Sequence, residues 1–473
     1  MMASQQGKLG TLALTGLVVG AIVGSGVFAL PQNMAEGAGA GAILIAWAVT
    51  FVGMFALTRI FQWLTLSRPD ITDGVYGYAR QGFGEYLGFS AAWGYWMSVW
   101  IGSTGYLVVM FSALGSFGAL SFFGDGTTLP AMAGGLVVLA LMHGFVLMGV
   151  RSAAILNTVV TIAKVVPIGL FIVCVGLAFR VETFNLDFWG SPELGSIADQ
   201  VKNTMLYTVW VFLGIECATV YANRARDMAT VSRATLLGFL ITIGLFVCVS
   251  VLSLGVVPQE ELAAMKNPSM AAVMARAVGP WGGALVNVGL ILSVGGAFLA
   301  WSLISSEMLY LAARGDKHTA PALFGRLNAN GTPANALWLT NGLIGCLLVI
   351  NHFNEAGYNI LIQLASSMAL IPYFLCAAFG LKLALGAPAG RGGMLAVTAL
   401  GTAYGVWLIY AGGLSYLLLS MILYVPALGF FWQARRERGL PVFAGPHEQA
   451  FAALVVLGAC SALYMLAQGT FSL

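Results

Sequence analysis

Apolar runs of about 20 residues or more, the length a bilayer requires, follow one another along almost the whole chain. Only short polar gaps separate them. Composition agrees, with 59% of the 473 residues hydrophobic and 8% charged, against about 25% charged in an ordinary soluble chain. Length alone would suit about three soluble domains, yet no stretch resembles one and no low-complexity tract interrupts the pattern. The chain is therefore expected to form one all-α integral membrane bundle of twelve or thirteen transmembrane helices, with the lipid bilayer as its solvent.

The runs cover 10–35, 40–66, 84–115, 130–149, 152–179, 202–223, 234–257, 281–312, 333–351, 357–385, 394–411 and 414–433. A further run at 449–467 is a possible thirteenth helix. The first begins directly after Lys8, outlasts the apolar core of a signal peptide and lacks a small-residue cleavage site, so it reads as a span. Lysine and arginine concentrate in cytoplasmic loops. A cytoplasmic N-terminus places sixteen of the 21 inside, and four (Arg180, Lys202, Lys266 and Arg276) outside; Lys164 lies within a span. The bias predicts a multi-pass protein with a cytoplasmic N-terminus, and the function expected below places it in the cell inner membrane.

Several function classes have no support. The positive charges are spread over loops, which argues against a nucleic-acid partner. The six cysteines lie in or beside apolar runs without paired spacing, so buried free thiols are expected rather than disulfides or a metal site. The four histidines show no metal-like spacing, and neither a phosphate-binding loop nor a nucleophile elbow is present. No cofactor, metal or enzymatic activity is expected.

Two spans are interrupted, the first at Gly24-Ser25-Gly26 and the sixth at Leu213-Gly214-Ile215-Glu216. In lipid every backbone group needs an internal partner, so a broken helix is tolerated only inside protein or beside a wet cavity. Paired breaks at corresponding places in two halves of a chain point to a transporter's binding site. Five spans separate one break from the next, which suggests a first repeat over 10–179 and a second over 202–385. An odd number of spans per repeat gives them opposite topology, and helices 11 and 12 (394–433) follow.

At the first break, N–H groups starting the second half-helix suit a carboxylate at the positive dipole end. Carbonyls ending the first half-helix, around Ile22, suit an ammonium. One broken helix thus complements an amino-acid zwitterion; close packing of Gly20 and Gly24 is the competing explanation. Glu216 is costly in hydrocarbon, at least ~2.5–3.5 kcal/mol, so it must face water, a cation or a hydrogen-bonding partner. Functionally it could sense substrate charge, carry a proton, or both. Lys164 could stand on backbone carbonyls where another transporter binds sodium, or act as a proton carrier. Glu307 is a second intramembrane acid, as consistent with a structural pairing as with function. Trp210 and Trp301 are candidates to stack on a cationic side chain, a contact worth ~0.5–2 kcal/mol.

At these residues the chain resembles the amino acid–polyamine–organocation superfamily, and within it the basic amino acid/polyamine antiporters of the arginine/ornithine and arginine/agmatine group. The resemblance rests on Gly24-Ser25-Gly26-Val27-Phe28, Tyr95-Trp96 with Trp100-Ile101-Gly102, Trp210 through Glu216, Trp301, and Asp73-Gly74-Val75-Tyr76-Gly77-Tyr78. It implies that Ser25 and Gly26 bind the substrate carboxylate, that carbonyls of Ile22, Trp210 and Leu213 receive the α-amino group, and that Trp301 stacks on the side chain. It further implies a gate layer of Tyr95, Glu216 and Tyr373, and a sodium-replacing role for Lys164. Where the arginine/agmatine exchangers carry small and amide residues facing the guanidinium, this chain has Ser98, Val99 and Ser103, without a two-way hydrogen-bonding amide. Relatives suggest a homodimer.

The expected function is sodium-independent antiport of small cationic amino acids, arginine against ornithine or a related amine product, by alternating access. A proton-coupled uptake symporter of the same fold is the alternative. A membrane enzyme or receptor lacks a nucleophile–base pair, metal cluster or sensory domain.

Overall fold

The computed structural model describes residues 10–149, 154–216, 226–314, 318–354, 357–386 and 392–469. Helices of ten or more residues are numbered here. They are α1 (Thr11–Ile22), α2 (Gly26–Gly37), α3 (Ala40–Ser67), α4 (Gly74–Phe83), α5 (Glu85–Gly115), α6 (Leu129–Leu147), α7 (Ala154–Leu177) and α8 (Ile197–Phe212). There follow α9 (Met228–Ser253), α10 (Ser269–Val278), α11 (Pro280–Ala313), α12 (Ala334–Asn354), α13 (Gly357–Leu385), α14 (Gly392–Ala411), α15 (Leu414–Arg436) and α16 (Pro446–Ala467). No strand occurs among the described residues.

Eleven helices among the described residues are long and apolar enough to cross a membrane, and α1 with α2 passes the same test as a pair bent by 53° at the break between them. The run at 449–467 is one of the eleven. Helix α8 is the described half of the expected sixth span; its remainder, 217–223 with Cys217, lies outside the described residues, as do 152–153 of the fifth. Several starts precede the apolar runs, because polar caps and proline extend a helix beyond its lipid-facing part. Ser196 Oγ accepts the Asp199 N–H at 3.2 Å, so α8 begins at Ile197. Asp227 Oδ1 accepts the Thr230 N–H at 2.7 Å, so α9 begins at Met228. Pro446 opens α16 and brings Glu448 into its first turn. The short helices α4 and α10 were not legible as spans, being too short to cross. The thiols also differ from expectation: Cys376 is buried, but Cys346 and Cys460 are exposed on their helices. A weakly polar thiol needs no burial when its neighbour is lipid.

The chain divides into two compact units. The first comprises Met1–Leu66, Tyr106–Ala131 and Ser152–Ala297. Within it Phe212 lies against Phe239 and Phe246, with centroids at 5.7 and 5.4 Å. Trp47 Nε1 donates to Ser250 Oγ at 2.8 Å, tying α3 to α9. A polar network binds α2 to the segment before α10. Asn267 Nδ2 donates to Gln32 Oε1 and Asn33 Oδ1, Gln32 Nε2 to the Ala263 carbonyl, and Gln259 Nε2 to the Ala35 carbonyl. Such groups need partners because lipid offers none.

The second unit comprises Ser67–Gly105, Met132–Arg151 and Phe298–Leu473. Here Trp96 Nε1 donates to Thr340 Oγ1 at 2.9 Å and Trp93 Nε1 to the Leu423 carbonyl at 2.9 Å. Tyr76 donates to Thr319 Oγ1 at 2.7 Å, since that hydroxyl itself donates to the Ala312 carbonyl. The closest packing is at Gly94, where a Cβ would fall 1.8 Å from Tyr424 Oη and 2.8 Å from the Met368 carbonyl oxygen. Tyr424 is pinned by its own bond to that carbonyl. Gly94→Ala should therefore destabilise the protein by at least ~1–3 kcal/mol, the range for overpacking. A melting temperature in detergent equal to that of the wild type would contradict this.

Candidate functional site

In the first unit, α1 stops at Ile22 because Val23 turns to an extended conformation, with ψ 98°. Ser25 occupies the N-cap of α2 and Gly26 its first position. The first N–H groups of a helix have no intrahelical acceptor and sit at its positive end. Ser25 is fully buried and Ile22 nearly so. Carbonyls at the other side of the break are used by Lys164, whose Nζ donates to Gly20 O at 2.5 Å and Val23 O at 2.8 Å. Lys164 is 3% exposed. Buried in this way it does not snorkel to an interface; it replaces helix-internal donors that the break removes.

At the expected second break only the first arm and the turn after it, up to Glu216, are among the described residues. Helix α8 ends at Phe212, and Gly214 takes φ 106°, a left-handed conformation that favours glycine. The Leu213 N–H donates to the Val209 and Trp210 carbonyls, and the Ile215 N–H to Phe212 O at 3.1 Å. Glu216 folds back, its Oε2 accepting the Gly214 N–H at 3.3 Å. The carboxylate thus sits 8% exposed at the break itself.

These two breaks are brought together. A Cβ on Gly26 would stand 2.7 Å from Val211 Cγ1 and 2.8 Å from Trp210 Cδ1. Further along, a Cβ on Gly37 would stand 3.0 Å from Asn203 Cβ, so α2 and α8 run antiparallel in close contact. Tyr207 closes the far end by donating to Glu36 Oε2 at 2.8 Å. The small-residue explanation for the first glycines also holds. A Cβ on Gly20 would meet Thr161 Oγ1 at 2.9 Å, and one on Gly24 would meet Tyr106 Oη at 2.8 Å. Glycine here serves the break and the packing at once.

Tyr106 was not singled out by the sequence. Its ring lies edge-on to Trp210 at 5.7 Å and 68°, so Trp210 is held by an aromatic neighbour as well as by α2. Nothing in the sequence distinguishes this tyrosine from the other fourteen.

The remaining expected residues lie in the second unit. Tyr95, Ser98 and Ser103 are buried on α5. Ser103 Oγ is committed to the Val99 carbonyl at 2.7 Å, whereas Ser98 Oγ has no hydrogen-bond partner among the described residues. Tyr373 is buried on α13 and Trp301 is half-buried on α11. Ser302, beside Trp301, is a second buried hydroxyl without a partner among the described residues, and the sequence did not flag it. Glu307, two turns along α11, is exposed.

Comparison with known proteins adds a separate line. A family model described as amino acid permease matches residues 9–439. The arginine/ornithine antiporter of Pseudomonas aeruginosa is 47% identical, over 100% of this chain and 99% of its own length. The arginine/agmatine antiporters of Chlamydia abortus and Chlamydia pneumoniae are 38% and 37% identical, each over 98% of this chain and 97% of their own.

Proposed function

The chain belongs to the amino acid permease family, and from that premise we propose that it exchanges small cationic amino acids across the inner membrane, arginine against ornithine. Relatives named as arginine/ornithine and arginine/agmatine antiporters over nearly the full length of both partners support the activity. The N-terminus is cytoplasmic in this reading, by the distribution of lysine and arginine, and the five-plus-five repeat makes the two breaks counterparts.

The observation that carries the reading is Lys164 on the Gly20 and Val23 carbonyls. A fixed ammonium holds the broken helix without a bound sodium ion, so binding need not be coupled to sodium. Ser25 and Gly26 offer N–H groups to the substrate carboxylate, while carbonyls of Ile22, Trp210 and Leu213 take the α-amino group. Trp301 stacks on the cationic side chain, and Ser98, with its uncommitted hydroxyl, suits a hydrogen-bonding head group. Tyr95, Glu216 and Tyr373 form the gate layer. Exchange follows if the empty carrier, with Glu216 lacking a cationic ligand, reorients slowly.

Counterflow in proteoliposomes tests this. Labelled arginine should enter only when ornithine is inside, irrespective of sodium or an imposed pH gradient. Strong gradient-driven accumulation into empty vesicles would overturn exchange in favour of symport. In the same assay Glu216→Gln should slow exchange roughly tenfold to hundredfold, since a hydrogen bond to a charged group is worth ~1.5–3 kcal/mol. Unaltered exchange would remove Glu216 from the mechanism.

A further inference from the structure

We propose that the C-terminal segment sets the position of α5 through Glu448, making Glu448 a positioning residue for substrate recognition, an inference that rests on the exchange function above. Helix α5 carries Tyr95, Ser98 and Ser103. Its first residue, Glu85, follows Gly84, which can offer no side chain to the free N–H groups at the helix start. The missing cap comes from α16. Glu448 Oε1 accepts the Tyr86 N–H at 3.0 Å, and Oε2 accepts the Ala444 N–H at 2.7 Å. Glu448 is 0% exposed. Both neighbours are donors, which an ionised carboxylate can satisfy with both oxygens. Its negative charge also meets the positive end of the α5 dipole.

The fit is specific. A Cβ on Gly84 would fall 2.5 Å from Glu448 Oε1, and Gly84 adopts φ 97°. Glycine at this elbow therefore admits the carboxylate as well as turning the chain. Phe443 and Phe451, which flank Glu448, enclose the Tyr86 ring at 5.5 and 5.9 Å. His447 Nε2 lies 3.1 Å from the Phe83 carbonyl. Beyond the first turn, Phe89 stacks on Phe431 at 5.9 Å, Trp93 bonds to Leu423 O, and Gly94 abuts Tyr424. The next residue is Tyr95. Helix α5 is thus fastened by 423–451 along its base, up to the first residue expected to face substrate.

A helix transmits such a constraint. Ser98 lies about 18 Å from Tyr86 at 1.5 Å per residue, and a displacement of the base carries to both serines. Residues 440–467 lie outside the 9–439 matched by the family model, so the Glu448 cap, unlike the contacts from 423–431, is additional to the matched transporter core.

The test uses the full chain in proteoliposomes, comparing Glu448→Gln, Glu448→Ala and, as a control on the exposed face of α16, Leu457→Ala. Arginine KM and maximal exchange rate per transporter are measured, with hydrogen–deuterium exchange at the amides of 86–89. Glutamine keeps the size but has one acceptor oxygen for two donors. It should raise KM about threefold to tenfold, as expected for one weakened charged hydrogen bond, and speed amide exchange in the first turn of α5. The maximal rate should change less than KM, and Leu457→Ala should match the wild type. If Glu448→Ala does not assemble, Glu448→Gln decides. An unmoved KM, with or without a lower melting temperature, assigns Glu448 to folding alone and overturns the proposal, as does unchanged protection at 86–89. A wild-type chain that fails to exchange would instead overturn the functional reading, leaving the amide measurement to judge the cap.

Discussion

Lys164→Ala is expected to abolish arginine/ornithine exchange, lowering it about a hundredfold or more when normalised to reconstituted protein. The substitution removes the donor to Gly20 O, in the last turn of α1, and to Val23 O, in the gap before α2. Each buried acceptor left without a donor costs ~1–3 kcal/mol, and the hydrocarbon supplies no water in compensation. The broken helix would recover those costs by closing or shifting, and the first N–H groups of α2 would move with it. A misplacement of about 1 Å can cost ~10²-fold even without loss of folding. Lys164→Arg should rescue poorly, because a planar fork of donors is not a compact ammonium on a flexible stem. Counterflow with either variant measures the effect. Exchange by Lys164→Ala within a few fold of the wild type would sink the assignment.

Gly26→Ala should have the second large effect. One methyl group would enter a space bounded at 2.7 Å by Val211 Cγ1 and at 2.8 and 3.0 Å by Trp210 Cδ1 and Nε1. Trp210 has little freedom to yield, being 7% exposed and set edge-on against Tyr106. Overpacking of this kind costs ~1–3 kcal/mol, and its geometric result is to separate α2 from α8 at the proposed carboxylate seat. Exchange should fall about tenfold to hundredfold, on the same sensitivity to misplacement, with arginine KM raised. Gly16→Ala, on the first helix with nothing within 4 Å of the added carbon, is the matching control and should leave exchange unchanged. Equal activity of the two variants would show that the contact at Gly26 is not critical.

Much of this architecture was legible in the residues. Unbroken apolar length marked the crossing helices, because the bilayer leaves a chain few other ways to satisfy its backbone. Glycine marked both expected interruptions, and a lone lysine inside a span pointed either to backbone carbonyls at a break or to a proton carrier. The helix starts were less legible: Ile197, Met228 and Pro446 begin outside the apolar runs, where capping rather than hydrophobicity governs. Short helices such as α4 and α10 gave no crossing signal. Tyr106 and Ser302 were missed because a tyrosine or serine on an apolar helix looks alike in packing and in function. Glu448 was missed since it stands just before the run at 449–467, where a charge reads as an ordinary helix end.

The sequence by itself determined that this chain lives in lipid, that its first span is interrupted and the helix of its sixth ends before Gly214, and which intramembrane charges need partners. Those conclusions follow from local energetics, the cost of an unsatisfied backbone group or charge in hydrocarbon. Only the tertiary structure decided who the partners are. Lys164 finds the carbonyls of another helix, Gly26 closes on Trp210 and Val211, and Glu448 caps a helix that begins 363 positions earlier. Such pairings depend on which surfaces meet once the helices pack, and sequence distance carries no record of that.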